Sequence, residues 1–212
     1  MKKQTLIKYW ESFYSKNKKF KESSFATFVD NKIKKKYNKS IIDIGCGNGR
    51  DSIFFNKKKM DVLGIDISKE AIKKNSQYSN NKLKFRNFDI EKDKISKKFD
   101  IIYSRFFIHA ISEKGENKLF KLIKKIKKKN KLIFFEFRNY KDNIFKGKKL
   151  QKHNEIVEFE KGHFRRIIDQ KKFTEKFLKE LKCKVIFNKS SRNLSIVKKD
   201  NPHLTRIIFK SY

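Results

Sequence analysis

The run Asp43-Ile44-Gly45-Cys46-Gly47-Asn48-Gly49 follows a short apolar strand signal, Ser40 to Ile44, and leads into a helix-forming stretch. Glycines at such a junction let the backbone turn tightly and approach a ligand closely, while the start of the helix offers unpaired N–H groups. Three glycines at alternate positions carry a large entropic cost, and the whole chain has only 7, so the run reads as a ligand loop rather than an ordinary turn. A dinucleotide fingerprint needs a glycine at its sixth position, where this chain has Arg50, and the absence of a following Gly-Lys-Ser/Thr excludes a P-loop. Two acids come next. Asp66 ends the second strand signal, where a carboxylate can accept both hydroxyls of a ribose, and Asp89 lies in Asn87-Phe88-Asp89-Ile90. Each acid alone is equally consistent with a loop-turn aspartate.

The elements that must position these residues alternate along the chain. Apolar and aromatic residues at helical spacing predict two short N-terminal helices, Leu6 to Tyr14 and Phe25 to Ile33. Strand signals follow at Ser40–Ile44, Val62–Ile65, Leu83–Phe85, Asp100–Tyr103 and Leu132–Phe135. Helix signals interleave at Asp51–Lys59, at Lys69–Tyr78 with Ser68 as N-cap, and at Glu116–Lys128. This order argues a parallel sheet covered by helices on both faces. Phe137 to Ile168 reads as an irregular, charged insertion containing Gly147, Gly162, His153 and His163. A helix at Phe173–Leu181 and a hairpin-like pair, Val185–Phe187 and Leu204–Phe209, complete the chain.

The spacing Asp-x-Gly-x-Gly-x-Gly, followed in order by Asp66, Asp89 and Asp100-Ile101-Ile102-Tyr103, resembles motif I and its successors in the class I S-adenosylmethionine-dependent methyltransferases. The likeness spans residues 41–136. It implies an α/β fold: a Rossmann-like, seven-stranded, mostly parallel sheet with an antiparallel last strand, helices on both faces and, here, an N-terminal helical cap. It also implies S-adenosyl-L-methionine as cofactor. The loop residues Asp43, Gly45, Cys46, Gly47, Asn48 and Gly49 would then meet the cofactor, with Asp66 and Ile67 at its ribose. Phe88, Asp89 and Ile90 would meet its adenine, and Ser104 would lie alongside. An acid beside the loop suits a sulfonium-bearing amino acid where it would repel a pyrophosphate. One domain is expected over 1–212, divided into a cap (1–38), a cofactor half (39–136), an acceptor-side insertion (137–169) and a C-terminal helix with strands (170–212).

For the acceptor, Tyr103-Ser104-Arg105-Phe106-Phe107-Ile108-His109 is similar to a segment of phosphoethanolamine and related small-molecule methyltransferases, which implies that His109 faces the acceptor as the catalytic residue. A base is needed only where the nucleophile must lose a proton, and the competing reading of His109 is a histidine packed at the sheet edge. The asparagine-proline motif of amino-directed nucleic-acid methyltransferases is absent. Arg105, Arg138, His163, Arg165 and Arg166 are the expected acceptor contacts, since guanidiniums near strand ends suit bidentate capture of phosphate or carboxylate. In a chain that otherwise prefers lysine, a retained arginine points to a geometric need. Glu136-Phe137-Arg138, His163-Phe164-Arg165-Arg166 and the opening Tyr9-Trp10-Glu11-Ser12-Phe13-Tyr14 resemble small bacterial methyltransferases associated with surface glycans. Tyr9, Trp10 and Tyr14 would form a lid over the cofactor or a helix packed on the core.

Composition bounds the alternatives. The chain has 57 Lys and Arg against 23 Asp and Glu, a net charge of +34. The lysines fall in short runs throughout, at Lys34–Lys36, Lys57–Lys59, Lys127–Lys129 and Lys171–Lys172. Dispersed lysines most often make a solvated surface, and a genome-wide codon bias accounts for them. The rival is an RNA methyltransferase that uses the basic surface. A cofactor-binding regulatory module without catalysis and an enzyme detoxifying an inorganic oxyanion stay open beside it. Cys46 and Cys183 have no zinc-ligand spacing, so no metal is expected. There is no signal-peptide pattern and no run of 18 apolar residues, so a cytoplasmic protein without membrane insertion is expected, acting on a small-molecule or glycan acceptor.

Overall fold

The computed structural model describes residues 3–16, 21–33, 39–145, 152–196 and 200–212. Lys34–Lys36 and Gly147 lie outside the described residues. Five strands, β1 (Ser40–Ile44), β2 (Asp61–Asp66), β3 (Leu83–Asn87), β4 (Phe99–Arg105) and β5 (Lys127–Arg138), pair in parallel. With β8 (Cys183–Ser191) and β9 (Leu204–Ser211) they form one seven-stranded sheet in the order β3-β2-β1-β4-β5-β9-β8. The last strand, β9, is antiparallel to both of its neighbours. This is the Rossmann-like arrangement the sequence predicts.

Strand periodicity explains why both faces are covered. Ile41, Ile101 and Phe134 point to one face, where they meet Phe25 and Val29 of α2 (Ser24–Lys32) and Phe55 of α3 (Arg50–Lys57). Ile42, Ile102, Ile133 and Phe135 point to the other, against Leu119 and Ile123 of α5 (Glu113–Ile126) and Phe173 and Phe177 of α6 (Gln170–Glu180). Each such side chain, once buried, contributes about 1.5–3 kcal/mol. The two remaining helices are α1 (Lys3–Ser15) and α4 (Lys69–Ser76). Among the described residues no helix is long and apolar enough to cross a membrane.

Two expectations are corrected. The helix expected at Glu116–Lys128 is capped earlier, by Ser112, whose Oγ accepts from the Gly115 N–H at 3.0 Å, and it ends at Ile126. Lys127 and Lys128 instead open β5. Pairing, not apolar alternation, fixes them there: the Lys128 and Lys131 ammoniums lie 2.9 and 3.4 Å from the Asp100 carboxylate, and the Ser211 hydroxyl donates to the Lys128 carbonyl at 2.7 Å. Nor is Phe137 to Ile168 irregular throughout. It carries an antiparallel hairpin, β6 (Ile156–Glu160) and β7 (His163–Arg166), whose turn holds Gly162 at φ +78°, a conformation glycine reaches without steric cost. The hairpin sets β7 beside a single 3-10 turn at Ile108–Ala110.

Candidate active site

The glycine loop is tied to β2 before it reaches α3. Gly45 and Cys46 donate their N–H groups to the Ile65 carbonyl at 2.9 and 3.0 Å. The Asp66 carboxylate is held by two backbone donors, Gly47 N–H and Ser68 N–H, both at 2.9 Å. Burial pushes the Asp66 carboxyl up, and those donors oppose the shift. A cavity of about 340 Å³ opens at the carboxyl ends of β1 to β4, and this volume lies within the range of small-molecule sites. Of the expected cofactor residues, Asp43, Gly45, Cys46, Gly47, Asn48, Asp66, Ile67, Phe88 and Ile90 line it, as do Arg105 and Arg165 of the expected acceptor set.

The other expected residues are engaged elsewhere. Gly49, at φ +72°, caps α3. The Ser104 hydroxyl donates to the Ile44 carbonyl at 3.1 Å and joins β4 to β1. Asp89, outside the lining, forms an ion pair with Lys3 at 2.7 Å. The His163 ring stacks on Tyr9 with centroids 4.1 Å apart, and its Nδ1 lies 2.8 Å from the Tyr9 hydroxyl. Burial, then Arg165 and Arg138, push the His163 imidazole down to about 3.

Arg138 and Arg166 do not reach the cavity lining. Arg138 forks onto both oxygens of Asp142 at 3.0 and 3.1 Å and also pairs with Asp200. Arg166 is buried and donates to the carbonyls of Ile111 and Ile108 at 3.0 and 3.1 Å and to Glu116 at 2.5 Å. These contacts anchor the hairpin to the 3-10 turn. His109 is buried behind Phe106 and Ala110, which do line the cavity. Its Nδ1 accepts the Arg138 N–H at 3.1 Å. Burial, then the surrounding cations, keep the imidazole neutral, well below its ordinary range.

Helix α1 lies over the cavity. Leu6, Trp10, Phe13 and Tyr14 line it, and the helix is fastened on several sides. Lys3 bridges Asp89 and Glu91 at 2.7 and 3.1 Å. The Glu11 carboxylate accepts from the Ser68 hydroxyl and from the N–H groups of Lys69 and Glu70 at 2.8–2.9 Å, using the open donors of the α4 N-terminus. The Lys74 ammonium donates to the Tyr14 and Ser15 carbonyls at 2.8 and 2.6 Å.

The cavity lining also contains residues that motif reading did not select: Arg50, Asp51, Tyr103, Phe106 and Asp200. Asp51 is saturated. It accepts the Ser23 N–H and hydroxyl at 2.7 Å each and the Tyr103 hydroxyl at 2.6 Å. Phe106 takes φ +56°, a left-handed conformation that costs an L-residue about 1–2 kcal/mol. Its ring lies 4.0 Å under the Arg105 guanidinium. Arg50 entered the sequence argument only as the residue that broke a glycine fingerprint, yet its place directly after a ligand loop was the available signal.

Asp43 yields a stability prediction. Buried, and repelled by Asp51, its carboxyl rises from 3.8 to about 8. The folded chain therefore holds an extra proton between those values, so stability falls as pH rises across that window and levels off above it. Asp43→Asn, which can still accept from Ser52, should flatten the slope by up to about 1.4 kcal/mol per pH unit, read from urea midpoints across the window.

Residues 35–180 match a family of methyltransferase domains. Over 113 residues the chain is 36% identical to a protein named as methyltransferase 235L of Invertebrate iridescent virus 6. The match takes in 52% of this chain and 42% of that protein, so the chain spans under half the length of this relative. Among solved structures, an S-adenosylmethionine-dependent methyltransferase of Methanosarcina mazei superimposes with a TM-score of 0.71 at 16% identity, covering 87% of this chain and 96% of that one. The glycopeptide N-methyltransferase MtfA, complexed with S-adenosyl-L-homocysteine, gives 0.70 at 10% identity, covering 93% and 94%. At those identities the likeness is one of fold.

Proposed function

Because the chain belongs to the methyltransferase domain family, we propose that it transfers the methyl group of S-adenosylmethionine to an oxygen, or secondarily a nitrogen, of a small anionic or glycan-linked acceptor. The observation that carries this reading is a cavity lined by the glycine loop and Asp66 together with Arg50, Arg105 and Arg165. The donor set fits the cofactor. The Asp66 carboxylate, oriented by two backbone N–H groups, would accept the ribose hydroxyls. Ile67, Phe88 and Ile90 offer apolar surface to the adenine, and Asp43 stands near the loop where a cation would draw off its proton. The bound cofactor supplies an electrophilic methyl on a sulfonium. The chain's share is to align the acceptor with that methyl and to exclude water, a contribution that alignment alone can make large.

The lysine runs support a small acceptor over RNA. Lys57–Lys59 precede β2 and Lys127–Lys129 open β5, so both runs lie at the amino ends of parallel strands, across the sheet from the cavity. Calorimetry with S-adenosylhomocysteine tests the reading. Wild type should bind, and Asp66→Ala should bind about 10–100-fold more weakly, the worth of a charged hydrogen-bonding partner. Failure of the wild type to bind would refute the proposal.

A further inference from the structure

The cavity lining brings three arginines together with four aspartates, and those aspartates already hold hydrogen bonds or ion pairs. Tyr103 donates its phenolic proton to Asp51, and Asp51 carries two further hydrogen bonds from Ser23. Asp43 accepts from Ser52 at 2.6 Å behind the glycine loop, and Asp200 pairs with Arg138. His109 lies outside the lining. With Nδ1 accepting a backbone N–H, its neutral ring carries the proton on Nε2, which makes that atom a donor rather than a base. Among the described residues lining the cavity, each aspartate already accepts a hydrogen bond or an ion pair. Three arginines from separate elements reach the same space: Arg50 from the start of α3, Arg105 from the end of β4 and Arg165 from β7.

Resting on the methyl-transfer reading, we infer that the methylated atom is an oxygen that arrives already anionic, the carboxylate oxygen of a small acceptor with an apolar or aromatic body. The carboxylate uses a lone pair to form the new O–CH3 bond. The S–CH3 bond breaks, its electron pair stays on sulfur, and no proton moves. Carboxylate and sulfonium become a neutral ester and a neutral thioether, so the chemistry requires no base. An alcohol would need one. A phosphate dianion is less well matched, because Arg105 is already compensated by Glu136 at 2.9 Å. The aromatic walls formed by Trp10, Phe106 and Phe107 suit an apolar body.

The test uses the full chain, S-adenosylmethionine labelled in its methyl group, and benzoate, phenylacetate and hexanoate, each beside its carboxamide and its alcohol. Dilute alkali releases the methyl of an ester as volatile methanol and leaves ethers, methylamines and methyl phosphates intact. Alkali-labile label on the carboxylates, at least about tenfold above their amides, is expected. Arg165→Gln should raise KM for the carboxylate about tenfold, with kcat little changed. Alkali-stable label, comparable transfer to amides or alcohols, or no labile label from either the panel or a metabolite extract would overturn the inference. S-adenosylhomocysteine binding by the same preparation separates that failure from failure of the cofactor reading.

Discussion

Glu136→Ala is expected to lower the unfolding free energy by about 3–5 kcal/mol, the loss that follows when one partner of a buried ion pair is removed. The reason is its position in a rung of three adjacent strands. Arg105 of β4 stands beside Glu136 of β5, which stands beside Arg206 of β9. The carboxylate is fully buried, and its two oxygens accept from Arg105 Nε at 2.9 Å and Arg206 Nε at 2.6 Å. Burial pushes the Glu136 carboxyl up, and the two guanidiniums oppose that shift. Alanine would leave two nearly buried cations facing each other. Glutamine keeps the shape and loses the charge, so its penalty should be smaller. Urea unfolding with an unchanged m-value checks the prediction, and a loss below about 1 kcal/mol for the alanine variant would contradict it. Arg105 also lines the cavity, so acceptor affinity should weaken with stability.

The second large effect is expected at Gly47. Its φ is +51°, and a Cβ there would come within 2.3 Å of the Tyr14 hydroxyl and 2.8 Å of Cζ. Alanine therefore faces a left-handed backbone penalty of about 1–2 kcal/mol and a steric overlap of about 1–3 kcal/mol. Tyr14 cannot yield freely, since its ring is flanked by Trp10 and Phe13 with centroids 5.7 and 5.1 Å away. If the strain is relieved by moving the loop, the Gly47 N–H leaves Asp66. S-adenosylhomocysteine affinity should then fall by about 100-fold or more. Adding Tyr14→Ala should recover the steric part and leave the backbone part, a non-additivity expected of neighbours in contact. Calorimetry on the single and double variants, with circular dichroism to show that both fold, separates the two terms.

The parallel sheet and the loop at its centre were legible because their signals are local. Apolar strands buried on both faces read as continuous runs, and glycine is scarce enough in this chain for Gly45, Gly47 and Gly49 to stand out. The hairpin at 156–166 was not legible, since short charged strands at the margin of a fold take their stability from pairing rather than from an apolar pattern. Arginine roles were equally hidden. Arg165 and Arg166 are neighbours, yet one lines the cavity and the other is buried on Glu116, 50 positions away. Asp89 pairs in the fold with Lys3, 86 positions away, a contact the sequence did not announce. Which of two adjacent identical charges meets solvent and which meets a buried carboxylate depends on contacts between distant segments that no spacing rule encodes.

The helix fastened over the cavity by Lys3, Glu11 and Lys74 bears on traffic through the site. A molecule seated on the glycine loop beneath Trp10 and Tyr14 would have, on that side, a wall held by those fastenings. Release past that wall would wait on the swing of one helix, on the microsecond-to-millisecond scale typical of such covers.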